Sequence, residues 1–326
     1  MARLTALIVL LTLGAGTPLA GEAQKTAKTY RLGFLSTASA AGFASQVDAF
    51  RQGLRDFGYV EGKNLLVEYR YADDRYDRLA ALAAELVQLK VDVIVTSGTP
   101  ATLAIKQATT TIPVVVAIIG DPVATGVVAS YARPGGNITG LSFHFPELMA
   151  KRVEVLKEAV PRLSRVAILR NPKNQSTASM TNAIEHMARS LKVEFHSIDA
   201  REPAAFDAAF AEMAKRRAEG LVVVDDPMLL AHRRALADLA TKHRIPAIGN
   251  QIFAEAGGLL GYGTDVILVF RQSVALIDKV LKGAKPADLP IQQADRIELT
   301  VNRKTAKLLE LTLPASLMVR ADKIVE

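Results

Sequence analysis

The 326-residue chain contains no cysteine and no uninterrupted apolar stretch of the length that a transmembrane helix needs. Without cysteine, the protein can form neither a disulfide framework nor the lipid-modified N-terminus of an anchored lipoprotein. Hydrophobic residues make up 50% of the chain, and low-complexity stretches are absent. We therefore expect a globular fold whose core is large enough to need no disulfide or metal.

The chain also lacks the short motifs that carry common chemistries. There is no nucleophile elbow, no glycine-rich dinucleotide turn, no phosphate-binding loop and no histidine pair of the zinc-peptidase type. The five histidines are dispersed along the sequence, so a metal site is not expected. We predict no cofactor and no catalytic residue, and an enzyme is the least favoured class.

Positive charge is in excess but is not concentrated. The formal net charge is +7, yet lysine and arginine alternate with aspartate and glutamate along the helices. A solvated basic surface is the simpler interpretation, and we expect no nucleic-acid partner.

The N-terminus has the three parts of a signal peptide. Arg3 supplies a positive charge, residues 4–13 form a short apolar core, and small residues follow at 20–23. We predict a signal peptide over residues 1–23, with cleavage after Ala23 or Ala20. The mature protein is then expected in the periplasm, soluble and without an anchor.

Short apolar runs alternate with helical periodicity, which predicts parallel sheets covered on both faces. In the first half, strands are predicted at 31–36, 65–71, 91–96, 113–119 and 138–143. The pattern restarts near residue 165, with strands at 166–170, 193–198, 221–224, 245–248 and 259–262. Helices are predicted between them, including 228–243 and 264–282, and the tail from residue 291 adds a strand and a helix at 304–311. The fold class is therefore α/β, with two doubly wound lobes.

A ligand site is predicted where the strands of each lobe end. In a five-stranded sheet of order 2-1-3-4-5, the crevice opens at the carboxyl ends of strands 1 and 3. Ser97, Gly98 and Thr99 follow strand 3 and begin a helix, whose free N–H groups suit an anion. The other polar candidates at these loops are Ser36, Thr37, Asp121, Ser142, Asn171, Asp225 and Asp226. Each of them alone is equally well explained as a turn former or a helix cap.

Several segments resemble the ABC-transporter substrate-binding proteins of the tryptophan/tyrosine type. The most specific is GDPVATGVVASYARPGGNITG at 120–140, and further resemblance lies at 58–64, 82–101, 255–263, 279–290 and 302–317. The resemblance covers nearly the whole mature chain and implies a type I periplasmic-binding-protein fold, with three hinge segments and no catalysis. It implies binding roles for Ser97, Gly98, Thr99, Asp121, Ser142, Asn171 and Asp226. The segment at 249–254, near the implied pocket, adds Asn250.

We expect one lobe at 28–143 plus about 264–298, and the other at 146–262 plus about 299–326. The expected function is binding of a small organic carboxylate or amino acid, with an aromatic one among the candidates. The partners are then the small-molecule ligand and an ABC permease in the inner membrane, and the protein is expected to be a monomer. The alternative is a periplasmic ligand-sensing module that signals to a membrane sensor protein.

Overall fold

The computed structural model describes residues 28–143, 145–294 and 296–326, so the predicted signal peptide at 1–23 lies outside the described residues. Across those three ranges, no helix is both long and apolar enough to cross a membrane.

The described residues form thirteen strands and thirteen α-helices. The first half contains β1 (Tyr30–Ser36), α1 (Ala44–Asp56), β2 (Leu65–Tyr71), α2 (Leu79–Gln88), β3 (Val93–Thr96), α3 (Thr99–Ala108), β4 (Val114–Ile119) and β5 (Ile138–Ser142). The second half contains α4 (Phe145–Ala159), β6 (Arg165–Arg170), α5 (Thr177–Ser190), β7 (Glu194–Asp199), α6 (Phe206–Lys215), β8 (Gly220–Val223), α7 (Pro227–Ala231), α8 (Arg233–Lys242), β9 (Ala247–Gly249), α9 (Gln251–Glu255) and β10 (Leu260–Thr264). The remainder contains α10 (Val266–Gln272), α11 (Val274–Leu281), β11 (Gln292–Gln293), β12 (Ile297–Asn302), α12 (Arg303–Leu308), α13 (Ala315–Arg320) and β13 (Lys323–Val325).

The strands form two sheets with the predicted winding. The first sheet has the order β11-β5-β4-β3-β1-β2, and the second has the order β13-β12-β10-β9-β8-β6-β7. Both contain the predicted 2-1-3-4-5 order, and their strands are parallel except where β12 runs antiparallel to β10. The α/β fold class with two doubly wound sheets is therefore confirmed.

Burial explains why the central strands are almost entirely apolar, with Thr96 at the end of β3 as a polar exception whose hydroxyl donates to the Leu35 carbonyl. Every residue of β3, β4 and β8 is buried, as expected for strands covered by helices on both faces. On α1, Val47, Phe50 and Leu54 form the buried stripe that the spacing of three and four predicts.

Two predicted helices are each divided by one residue. The helix predicted at 228–243 is α7 and α8, separated at His232. The helix predicted at 264–282 is α10 and α11, separated at Ser273. The Ser273 hydroxyl donates to the Phe270 carbonyl at 2.7 Å, and such bonds to the preceding turn bend helices.

The order of the described strands shows three passages of the backbone between the two sheets. These passages lie after β5, after β10, and between β11 and β12. Because α10 packs on α1 and β4, and α11 packs on α1 and β3, both helices cover the first sheet, whereas α4 packs on strands of the second. The carboxyl ends of the central strands of both sheets thus border one interior space.

Candidate functional site

A cavity of about 60 Å³ lies between the two sheets and is lined by residues from both halves. Its lining residues are Phe43, Ser97, Gly98, Thr99, Ile118, Ile119, Gly120, Phe143, Asn174, Ser176, Asp225, Asp226, Pro227, Leu230, Asn250, Thr264, Val266 and Phe270. The cavity therefore lies at the strand ends where the sequence predicts a site.

The turn between β3 and α3 supplies the first polar edge of the cavity. Gly98 has a φ of +75°, a conformation that glycine adopts without strain, and its N–H donates to the Ile118 carbonyl at 2.8 Å. The Thr99 hydroxyl is buried and has no hydrogen-bond partner among the described residues. This hydroxyl and the first N–H groups of α3 can together bind an anionic group.

Aromatic side chains form a second, apolar edge. The rings of Phe43 and Phe270 meet edge to face, with centroids 5.4 Å apart, and Phe143 and Val266 lie along the same cavity. The sequence predicts that residues 266–270 are helical, but its pattern assigns neither this segment nor Phe43 to a site. Their contribution depends on how α1 and α10 pack, which the helical period does not reveal.

Asp225 carries the charge on the opposite edge. Its Oδ2 accepts a hydrogen bond from Nη2 of the fully buried Arg152 at 2.8 Å, and its Oδ1 accepts one from Asn250 at 3.2 Å. Arg152 also donates to the carbonyls of Tyr262 and Val223, so its guanidinium fixes the end of β8 against β10. Asp225 is thus a carboxylate that is fixed in place and faces the cavity. Arg152 is not among the predicted site residues.

Asp226 has a different environment. Its Oδ1 caps α7 by accepting from the N–H groups of Met228 and Leu229, and its Oδ2 accepts from Tyr76 at 2.7 Å and Asn174 at 3.0 Å. Burial raises the pKa of the Asp226 carboxyl above its ordinary value, and these hydrogen bonds offset part of that effect. The four bonds occupy the acceptor positions of the carboxylate.

Two more polar residues of the cavity, Thr264 and Asn174, are not among the predicted site residues, although Asn174 lies in the same loop as the predicted Asn171. The Thr264 hydroxyl, at the end of β10, is buried and unpartnered among the described residues. The Asn174 amide oxygen accepts from the N–H and hydroxyl of Ser176, which orders the loop before α5.

Six predicted residues line the cavity and five lie outside its lining. Ser97, Gly98, Thr99, Asp225, Asp226 and Asn250 line it; Ser36, Thr37, Asp121, Ser142 and Asn171 do not.

The five outside the lining have local environments of their own. The Ser36 hydroxyl donates to the Ala38 carbonyl, and the Thr37 hydroxyl is buried with no partner in the described ranges. Asp121 caps a turn through the N–H groups of residues 123 and 124, and Ser142 donates to the Gly120 carbonyl. Asn171 accepts from the Lys173 N–H. These contacts shape the loops behind the cavity.

The chemistry of the cavity is that of binding. In the part of the chain that the structure describes, no three histidine, aspartate or glutamate side chains converge in a way that could hold a metal ion. The cavity instead combines an anion-binding edge, a held carboxylate and an aromatic edge. This arrangement suits a small molecule with both polar and apolar groups.

Comparisons with known proteins place this arrangement in a family. The family model described as "ABC transporter substrate binding protein" matches residues 33–325. A curated tyrosine-binding protein from Clostridioides difficile is 24% identical over 263 residues, which cover 80% of this chain and 75% of the relative.

Solved structures agree with this fold. A conserved domain protein from Vibrio cholerae is 25% identical, with a TM-score of 0.85, over 91% of this chain and 100% of that one. The ABC domain in complex with L-Trp from Streptococcus pneumonia is 22% identical, with a TM-score of 0.84 and the same coverage. The fold is that of type I periplasmic binding proteins.

Proposed function

Because the chain belongs to the family of ABC transporter substrate-binding proteins, we propose that it binds a small organic carboxylate or amino acid between its two lobes and delivers it to an ABC permease in the inner membrane. Members of this family bind a solute and do not transform it, so the protein is a binder and not an enzyme. The observation that carries the proposal is the cavity between the sheets, where the buried hydroxyls of Thr99 and Thr264 have no partner among the described residues.

The proposed ligand is an aromatic amino acid. Its carboxylate would take hydrogen bonds from Thr99 and the first N–H groups of α3, and its ammonium group would face Asp225. Its ring would pack against Phe43 and Phe270, since aromatic pairs gain from edge-to-face contact. The tyrosine-binding and tryptophan-bound relatives support this class of ligand.

We propose a location in the periplasm, in keeping with the predicted signal peptide, and hinges at the crossings after β5, after β10 and between β11 and β12. The lobes are proposed to consist of 28–143 with about 264–298, and 146–262 with about 299–326. We propose that a monomer with ligand between these lobes is the form that meets the permease.

Identification of the molecule that the protein retains tests the proposal. Protein purified without denaturation should release an aromatic amino acid on denaturation, detected by mass spectrometry, and should rebind it in a calorimetric titration with one site. Release and rebinding of a neutral sugar or polyol instead would contradict the proposed ligand class.

A further inference from the structure

We infer that Tyr76 and Asp226 form a latch that holds the two halves together, and that Asp226 is a positioning residue for closure and not a ligand contact. Tyr76 lies in the turn after β2, in the first half, and Asp226 follows β8 in the second half. The Tyr76 hydroxyl donates a hydrogen bond to Asp226 Oδ2 at 2.7 Å, although the two residues are 150 positions apart in the sequence. The latch acts on the cavity of the proposed function, but its existence does not require that the ligand be an amino acid.

The carboxylate of Asp226 is fully used within the protein. One oxygen caps α7 through two backbone N–H groups, and the other accepts from Tyr76 and Asn174. Since four hydrogen bonds fill its acceptor positions, a ligand ammonium group would have to displace Tyr76 or Asn174. Asp225, whose Oδ1 accepts from Asn250 alone among the described contacts, is the carboxylate with room for a ligand.

A second contact joins the same two segments. Asp74, two residues before Tyr76, lies 2.7 Å from the His232 ring nitrogen, and His232 separates α7 from α8. Between these contacts, an added Cβ on Gly98 would lie 2.8 Å from the Pro227 ring, so the two halves pack closely there. The segment 226–232 is therefore docked on the first half at several points.

The consequence of the latch is a change in the fraction of closed molecules. If only the closed form holds ligand tightly, the apparent dissociation constant equals the intrinsic one divided by the closed fraction. Loss of one buried hydrogen bond that exists only in the closed form should lower the closed-to-open ratio roughly three- to tenfold. All ligands of the cavity should weaken by one common factor, which equals this change in ratio when the open form predominates without ligand.

The test is a distance measurement on the ligand-free protein. Because the chain has no cysteine, Ala80→Cys and Ala178→Cys provide two unique spin-label sites, on α2 and α5 at exposed positions. Electron–electron double resonance then reports the separation of the two halves. Tyr76→Phe should shift the distribution towards longer distances, and the control Tyr71→Phe, which removes a hydroxyl from β2 within the first half, should not.

Binding of L-tryptophan and L-tyrosine by the same variants completes the experiment. Tyr76→Phe should weaken both ligands by the same factor, which leaves their affinity ratio unchanged. An unchanged distance distribution in Tyr76→Phe would overturn the latch, as would a changed affinity ratio. If the parent protein binds neither amino acid, the proposed ligand fails, while the distance measurement still decides the latch.

Discussion

Thr99 is the residue that connects the local structure most directly with binding. Its hydroxyl is buried at the cavity and has no partner among the described residues, so it adds desolvation cost to the ligand-free protein. Such a cost is expected where a ligand supplies the missing hydrogen bond. The Thr99 hydroxyl thus lowers the stability of the ligand-free protein but favours the binding of ligand.

Thr99→Val should therefore change stability and affinity in different directions. Valine keeps the shape of the side chain but cannot hydrogen-bond, so ligand affinity should fall by about 0.5–1.5 kcal/mol, while the free energy of unfolding stays equal or rises. The control is Thr102→Val on the same helix, whose hydroxyl donates to the Gly98 carbonyl at 2.7 Å. Thr102→Val should lower the free energy of unfolding, and it should reduce ligand affinity less than Thr99→Val does. Calorimetry and urea unfolding measure the two quantities, and a stability loss in Thr99→Val equal to that in Thr102→Val would contradict the assignment.

Asp226 should make stability depend on pH. Burial raises the pKa of its carboxyl in the folded protein, whereas the unfolded chain has the ordinary aspartate value, about 3.9. Between these values the folded state holds the proton more tightly, so the contribution of Asp226 to the free energy of unfolding falls as the pH rises. Asp226→Asn still caps α7 but does not titrate. Urea unfolding across this range gives the free energy of unfolding of the parent minus that of the variant. This difference should decrease as the pH rises, and a constant difference would show that burial does not perturb the Asp226 carboxyl.

At the scale of elements, the turn that begins α3 should be sensitive to any side chain. Gly98→Ala places a Cβ at a φ of +75° and 2.8 Å from the Pro227 ring. With a ψ of 155°, Gly98 lies in a region that other residues rarely adopt, so the backbone strain should cost about 1–3 kcal/mol of stability. The contact with Pro227 should separate the halves and weaken ligand binding. Gly62→Ala is the matched control, because its φ is +79° but no atom lies within 4 Å of the added Cβ. Equal ligand affinities in the two variants would show that the contact with Pro227 has no role in closure.

Most helices and strands can be predicted from the sequence because each depends on the hydrophobic pattern of its own segment. Strands such as β4 are wholly apolar, and the stripe on α1 has the helical period, so both could be predicted. The division between α7 and α8 at His232 could not be predicted, because the His232 ring contacts Asp74 in the other half. Short elements such as α9 and β13 carry too few residues for a periodic pattern.

At the scale of the whole molecule, topology was predictable and contact between lobes was not. The alternation of strands and helices predicts the strand order, and the strand order predicts that residues 97–99 and 225–226 border one cavity. The contact of Tyr76 with Asp226 and the burial of Arg152 depend on how the lobes and α4 are placed. No pattern within one segment carries that information.

Comparison of a ligand that has a carboxylate with one that lacks it is the decisive measurement for the proposed site. The chain contains no tryptophan, so indole fluorescence excited selectively comes from the ligand alone. The measurement is the fluorescence anisotropy of L-tryptophan and of tryptamine, which lacks the carboxylate, as protein is added. The cavity geometry predicts a saturable rise for L-tryptophan at one site per chain and a much weaker response for tryptamine. An equal response from both compounds, or none from L-tryptophan, would contradict a carboxylate bound at the start of α3.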